Sequence, residues 1–291
     1  MRIGCMGEVM LELVPGKGDT AALGVAGDTF NTAVYLSRAL GAGAVDYLTV
    51  LGADGFSARI RARMAQHGVG TDRVLTHPSK LPGLYAIETD PSGERHFTYW
   101  RSASAARVLF EEGITPDLSE LSHLYYSGIT LAILSASARE RLFGRVEDFR
   151  ALGGVVAFDS NYRPSLWESA AKARAATERA WRLCDVALPS LDDELALFAD
   201  PDEDAVIQRL RALGVSSGAL KRAARGPRSL EGEPCGPFAP AEVIDSTAAG
   251  DSFNAGFLAA LWTGQGQGAA LHAAHGLASR VVGHRGAILP A

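Results

Sequence analysis

Apolar positions along the chain fall alternately into short runs and helical stripes. Ile3–Met6 and Val45–Leu51 are runs of the length expected of buried strands. Asp28–Leu40 sets Phe30, Ala33, Val34 and Leu40 on one helical stripe, with Asp28 placed to cap it. A second helix follows Gly52-Ala-Asp-Gly55 and runs to about residue 67, where Gly68-Val-Gly70 ends it. Later in the chain, strands are expected at 124–126, Val155–Asp159 and 185–188. Helices are expected at 137–152, 167–184, 203–213, 251–262 and Gln267–Val282. Strands alternating with helices predict α/β layering.

One stretch breaks the alternation. Residues 84–90 and 95–101 both have strand texture, and Asp90-Pro-Ser-Gly93 between them signals a turn, which predicts a β-hairpin set inside the α/β chain. Such an insertion serves either as a lid that shields chemistry from water or as an edge decoration. Residues 223–241, rich in Gly, Pro and charge, predict no regular element.

Composition narrows the function classes. The chain has 291 residues, 47% hydrophobic and 21% charged, which is ordinary for a globular protein with a substantial core. The net charge of -5 and the absence of a basic tract argue against a nucleic-acid partner. Glu8 and Glu12 interrupt the apolar N-terminal stretch, so no signal peptide is expected, and no run has the length of a membrane span. A soluble cytoplasmic protein is the expectation. Cys5, Cys184 and Cys235 are far apart and lack metal-ligand spacing, as in a reducing compartment. His272 and His275 share a helical face without an accompanying acid, so they read as surface or pocket residues and no metal site is assigned.

There is no G-x-x-x-x-G-K-[ST] phosphate loop, strand-borne G-x-G-x-x-G or G-x-S-x-G elbow. What remains is Thr247-Ala-Ala-Gly-Asp251-Ser-Phe-Asn-Ala-Gly256, in which small residues precede a helix. A helix N-terminus with bare backbone N–H groups can hold an anion such as a transferring phosphate. Asp251 at its mouth reads either as a base that deprotonates an attacking hydroxyl or as a helix cap. Gly27 before a helix and Asn31 on its first turn suit sugar hydroxyls, or are a capped helix with Asn31 exposed. Asp159-Ser-Asn161-Tyr-Arg163-Pro164 lies at a strand's carboxyl end, where ligands of α/β sheets gather. Arg163 there reads as an anion grip or a surface ion pair.

With these pieces together, the chain resembles the PfkB (ribokinase-like) carbohydrate kinases over residues 3–290. The segment Asp245-Ser-Thr-Ala-Ala-Gly-Asp251-Ser-Phe carries the family signature. Gly27-Asp-Thr-Phe-Asn-Thr-Ala-Val-Tyr-Leu36, Leu81-Pro-Gly-Leu-Tyr85, Tyr99-Trp-Arg101, Asn161-Tyr-Arg-Pro164 and His284-Arg-Gly-Ala-Ile-Leu-Pro290 resemble the branch acting on 2-keto-3-deoxygluconate. The resemblance implies a ribokinase-like three-layer α/β/α sandwich, one domain over 1–291, with a small β-sheet lid mainly from about 8–25 and 83–105. Asp251 would be the base, and Ala248, Ala249 and Gly250 the anion-hole donors. Gly27, Asp28 and Asn31 would hold the substrate, Tyr85, Tyr99 and Arg101 would close over it, and Arg163 would meet its carboxylate or neighbouring oxygens. Ser190, Lys221, Gly226, Ala248, Gly250 and His275 would contact ATP, with Mg²⁺ arriving on the nucleotide.

The implied reaction is ATP-dependent phosphorylation of 2-keto-3-deoxygluconate at its terminal hydroxyl, giving the 6-phosphate. A kinase for a neutral sugar such as fructose or ribose is the alternative. A non-catalytic sugar-acid-binding protein with a decayed nucleotide loop is another. Ala26-Gly27 replaces the family's Gly-Gly, which would crowd the substrate. Leu220-Lys-Arg-Ala223-Ala-Arg-Gly226 departs from V-K-x-G-x-x-G, and the acidic motif near Ser190-Leu-Asp-Asp193-Glu194 lacks its usual Asn. By resemblance, copies of the chain would assemble as a dimer or larger oligomer through the lid.

Overall fold

A computed structural model describes residues 1–16, 18–89, 95–232 and 236–290. The turn at Asp90–Gly93 and Cys235 lie outside the described residues. The elements begin with β1 (Ile3–Met6), β2 (Met10–Pro15), β3 (Ala21–Ala26), α1 (Asp28–Leu40), β4 (Val45–Leu51), α2 (Gly55–Gln66) and β5 (Val74–Thr76). Then come the hairpin strands β6 (Gly83–Thr89) and β7 (Arg95–Trp100). The chain continues with β8 (His123–Ser127), α3 (Gly128–Ile133), α4 (Ala136–Ala151), β9 (Val155–Asp159), α5 (Ala170–Arg182), β10 (Val186–Leu188), α6 (Leu191–Phe198) and α7 (Glu203–Ala212). The last elements are β11 (Ala219–Leu220), β12 (Arg228–Ser229), α8 (Ala249–Trp262) and α9 (Gln267–Val282).

Among the described residues, six parallel strands form the main sheet in the order β10-β9-β8-β1-β4-β5. Its strands are apolar on both faces because both faces are covered. Leu48, Val50, Leu124 and Tyr126 enter a core with α3 to α7. Their neighbours Val45, Tyr47, Leu51 and Tyr125 enter a second core with α1, α2, α8 and α9. Alternate side chains along one strand therefore feed opposite layers, which makes the three-layer sandwich. From β1 the chain winds outward to β4 and β5, then returns to β8 and winds the other way, so the order reverses between β1 and β8. A crevice opens outside the carboxyl ends of strands at such a point.

The second sheet has four strands in the order β3-β2-β6-β7. The β6–β7 hairpin pairs antiparallel, as its alternation predicted, and β6 lies parallel to β2. Its strands fall almost wholly within the stretches expected to form the small sheet.

Several boundaries differ from the sequence reading. Residues 167–169 are not helical: Pro164–Leu166 is a short 3₁₀ turn and Ser169 caps α5 by accepting from Lys172 N–H. Helix α8 starts at Ala249, not at Asp251. Asp28 does not cap α1, because Gly27 occupies the cap and the Asp28 carboxylate turns to Ser127 and Asn161. The short β5, β11 and β12 and the helices α3 and α6 were not predicted. Among the described residues, no helix is long and apolar enough to cross a membrane.

Candidate active site

The crevice is a cleft of about 760 Å³ between the carboxyl edge of the main sheet, the small sheet and the N-terminus of α8. Its floor is built from three chain segments that are distant in sequence. Helix α1 contributes Asp28 and Asn31, the end of β9 contributes Asp159 and Asn161, and the first turn of α8 contributes Asp251. A side chain at Gly27 would put its Cβ 2.4 Å from the Glu8 carbonyl oxygen, so only glycine lets α1 start this close to the loop after β1.

Asp251 is not a cap. Ala248 holds the N-cap position of α8 in the left-handed region (φ 60°), with no side-chain cap bond. The Asp251 carboxylate instead accepts from Asn31 Nδ2 at 2.8 Å, and Asn31 is buried rather than exposed. Burial, then the neighbouring Asp28 charge, push the Asp251 pKa well above the usual carboxylate range, with Asp159 adding to the shift. Asn31 and Lys221 oppose it. Asp28 accepts from Ser127 Oγ at 2.5 Å and Asn161 Nδ2 at 2.9 Å, and burial raises its pKa too. Asn31 Oδ1, although buried, has no hydrogen-bond partner among the described residues. A buried polar atom left open beside a cleft is what a polar ligand would complete.

The N-terminus of α8 faces the cleft through Ala248, Ala249 and Gly250. The Ala249 N–H is already donated to Ser246 O at 3.2 Å, so the expected donor set loses one member in this conformation. No hydrogen bond takes up the Gly250 N–H among the described residues. The turn before the helix is fixed by Asp245, whose carboxylate accepts from Thr247 N–H (3.0 Å) and Gly286 N–H (2.8 Å). Asn161 (φ 29°), Ala223 (φ 49°) and Ala248 (φ 60°) all line the cleft with left-handed backbone. Such residues cost on the order of 1–3 kcal/mol each and gather where function demands the shape.

Opposite the floor, the small sheet presents Tyr85, Phe97, Tyr99 and Arg101. The Tyr85 ring packs against Tyr99 in a tilted arrangement with centroids 5.7 Å apart, and its hydroxyl donates to Glu12. Arg101 is 8% exposed and ion-paired with Glu8, which also accepts from Ser104 Oγ. This arginine is therefore already neutralised, while its Nε has no hydrogen-bond partner among the described residues. Arg163, with its side chain 53% exposed, is the freer cation: it donates to Tyr162 O at 2.8 Å and lies 3.5 Å from Asp193. Ala26 packs with Met10, Tyr85, Ile87 and Ala287, and it is not among the residues lining the cleft, so it does not crowd the cleft as expected.

On the other side of α8, the cleft is lined by Ser190, Lys221, Ala223, Ala224, Pro227 and His275. Lys221 Nζ donates to Asp159 Oδ1 at 2.7 Å and Asn254 Oδ1 at 3.1 Å. His275 Nε2 lies 2.7 Å from Ala239 O, and both His272 and His275 pack against the Phe238 ring. Gly226 is not among the residues lining the cleft; its φ is 72°, and a Cβ there would lie 2.7 Å from Phe238. Glu8, Asn254 and Asp193 were not singled out by sequence reasoning. For Glu8 a signal existed, because a charge inside an apolar run must find a partner when the run is buried.

Comparison with known proteins gives the arrangement its relatives. The chain is 42% identical over 300 residues to the 2-dehydro-3-deoxygluconokinase of Dickeya dadantii, covering 99% of this chain and 96% of the relative. It is 42% identical over 303 residues to the 2-dehydro-3-deoxygluconokinase of Escherichia coli, covering 99% and 97%. Among solved structures, the fructokinase of Xylella fastidiosa with bound ATP superposes with a TM-score of 0.82 at 26% identity, covering 98% of this chain and 93% of that one. The pfkB family carbohydrate kinase pattern matches residues 3–291, and the chain belongs to that family.

Proposed function

We propose that this chain is an ATP-dependent 2-dehydro-3-deoxygluconokinase, which phosphorylates the terminal hydroxyl of 2-keto-3-deoxygluconate to give the 6-phosphate. The observation that carries the chemistry is the Asp251 carboxylate, held by Asn31 on the cleft floor in the first turn of α8. Full-length identity of 42% to two kinases named for this substrate supports its choice over a neutral sugar.

In this reading Asp251 takes the proton of the terminal hydroxyl as its oxygen attacks phosphorus. Gly27, Asp28 and Asn31 hold the sugar-acid chain. The Gly250 N–H, the α8 dipole and Lys221 balance charge on the transferring phosphoryl group. Arg163 meets the substrate carboxylate, and the Nε edge of Arg101 adds a donor. The hairpin bearing Tyr85 and Tyr99 acts as a lid that keeps water out. Ser190, His275 and the segment after Lys221 receive the nucleotide. Asp192 and Asp193 line the nucleotide side, and among the described residues no three His, Cys, Asp or Glu gather into a site of their own. That donor set fits Mg²⁺ carried mainly by phosphates and water; the ion would supply charge neutralisation. The setting is sugar-acid catabolism in the cytoplasm. Oligomerisation through the lid belongs to the same reading, since Trp100 on β7 is 58% exposed.

The test is a substrate panel at fixed ATP and Mg²⁺, read by ADP release. We expect the keto acid to be turned over with a much higher kcat/KM than fructose or ribose. Equal or better use of a neutral sugar rejects the carboxylate assignment. Failure to bind ATP in calorimetry replaces the kinase with a sugar-acid-binding protein.

A further inference from the structure

Lys221 is mounted with unusual completeness for a lysine that lines a cleft. An ammonium has three donors, and here two of them go to Asp159 Oδ1 (2.7 Å) and Asn254 Oδ1 (3.1 Å). The mount is itself closed. Asn254 Nδ2 donates to Asp159 Oδ2 at 2.8 Å, so both Asp159 oxygens are used. The same amide donates to Tyr125 Oη at 3.0 Å. Asn254 is completely buried behind the cleft, and Asp159, on the cleft floor, is only 2% exposed, so water competes little for either. Asn254 also lies on α8, one turn beyond Asp251. Lys221 Nζ comes to 3.8 Å from the place a Cβ would occupy on Gly250.

We infer that Asp159 and Asn254 are positioning residues for phosphoryl transfer, holding Lys221 against the N-terminus of α8 so that its one uncommitted N–H faces the incoming anion. This rests on the kinase reading for the nature of that anion. A lysine stem has many rotamers in water, and a mount that removes them leaves the charge already placed when the transition state forms. Because Asn254 shares a helix with Asp251, the mount also fixes the cation relative to the base. A movement of α8 carries both together.

The test is a double-mutant cycle on the full chain. Asp159→Asn, Asn254→Ala, Lys221→Met and the two doubles with Lys221→Met are compared for kcat, for KM of ATP, and for ATP affinity by calorimetry without acceptor. We expect Lys221→Met to lower kcat/KM for ATP by about 10²–10³. Each mount variant alone should lose roughly tenfold, and each double should be no worse than Lys221→Met, as for residues that act through one another. In Asn254→Ala the KM of the sugar acceptor should stay within about twofold, because Asn254 is fully buried and does not line the cleft. Losses that multiply in the doubles overturn the proposal, as does unchanged kcat/KM in both mount variants. Asn254→Ala keeps the ion pair, so its cycle decides the matter even where Asp159→Asn fails to fold. If the sugar-acid assignment fails, the calorimetric arm still reads the coupling, since it contains no acceptor; absent ATP binding by the wild type overturns both.

Discussion

Asp251 can take a proton only when it is ionised, and its surroundings resist ionisation. Burial, then the Asp28 charge, hold its pKa up, while Asn31 and Lys221 pull it down. As the proposed base, it should give a kcat that falls on the acid side well above the ordinary carboxylate value of about 4. A pH–rate profile with its acid limb at the ordinary value would contradict this. The same shift has a stability sign. The folded chain binds this proton more tightly than the unfolded chain, so ionising Asp251 costs stability as pH rises through the raised pKa. Asp251→Asn should therefore fold at least as well by thermal melting, yet lose about 10²–10⁴ in kcat. Near-normal turnover would remove Asp251 from the chemistry. The residue was legible because small residues precede it, but the choice between cap and base was not. That choice depends on Asn31, 220 positions away in the chain.

At the scale of elements, the small sheet is joined to the main sheet by a buried charge pair. Glu8 follows β1, and its carboxylate holds Arg101 at the end of β7 and Ser104 just beyond. Removing one partner of a buried pair leaves the other uncompensated, at about 3–5 kcal/mol. Glu8→Gln retains the shape and should show the milder end of that range in denaturant unfolding. It should also raise KM for the acid substrate more than it lowers kcat, because Arg101 lines the cleft without being at the transferring group. Unchanged stability and KM would mean the pair is incidental. Long elements such as α1 and α9 were read to the residue, since many periods of pattern average out local noise. The strands β11 and β12 are too short to have a period, and they exist only because their partners align them.

For the whole molecule, three layers bring the carboxyl ends of β1, β8 and β9 and the start of α8 to one side. The small sheet stands over that opening with Val14 and Trp100 still 37% and 58% exposed. Sedimentation velocity should find a dimer or larger species, and Trp100→Asp should shift it toward monomer; a monomer at all concentrations would reject assembly through the lid. Family, layering and hairpin were all determined by the sequence, because periodicity and short motifs are local properties. Only the tertiary structure decided that Arg101 is neutralised by Glu8, that Gly226 packs under Phe238, and that Lys221 stands on Asp159 and Asn254. The physical reason is the same in each case. A side chain's charge state and freedom are set by partners in space, and these partners come from segments that local pattern does not connect.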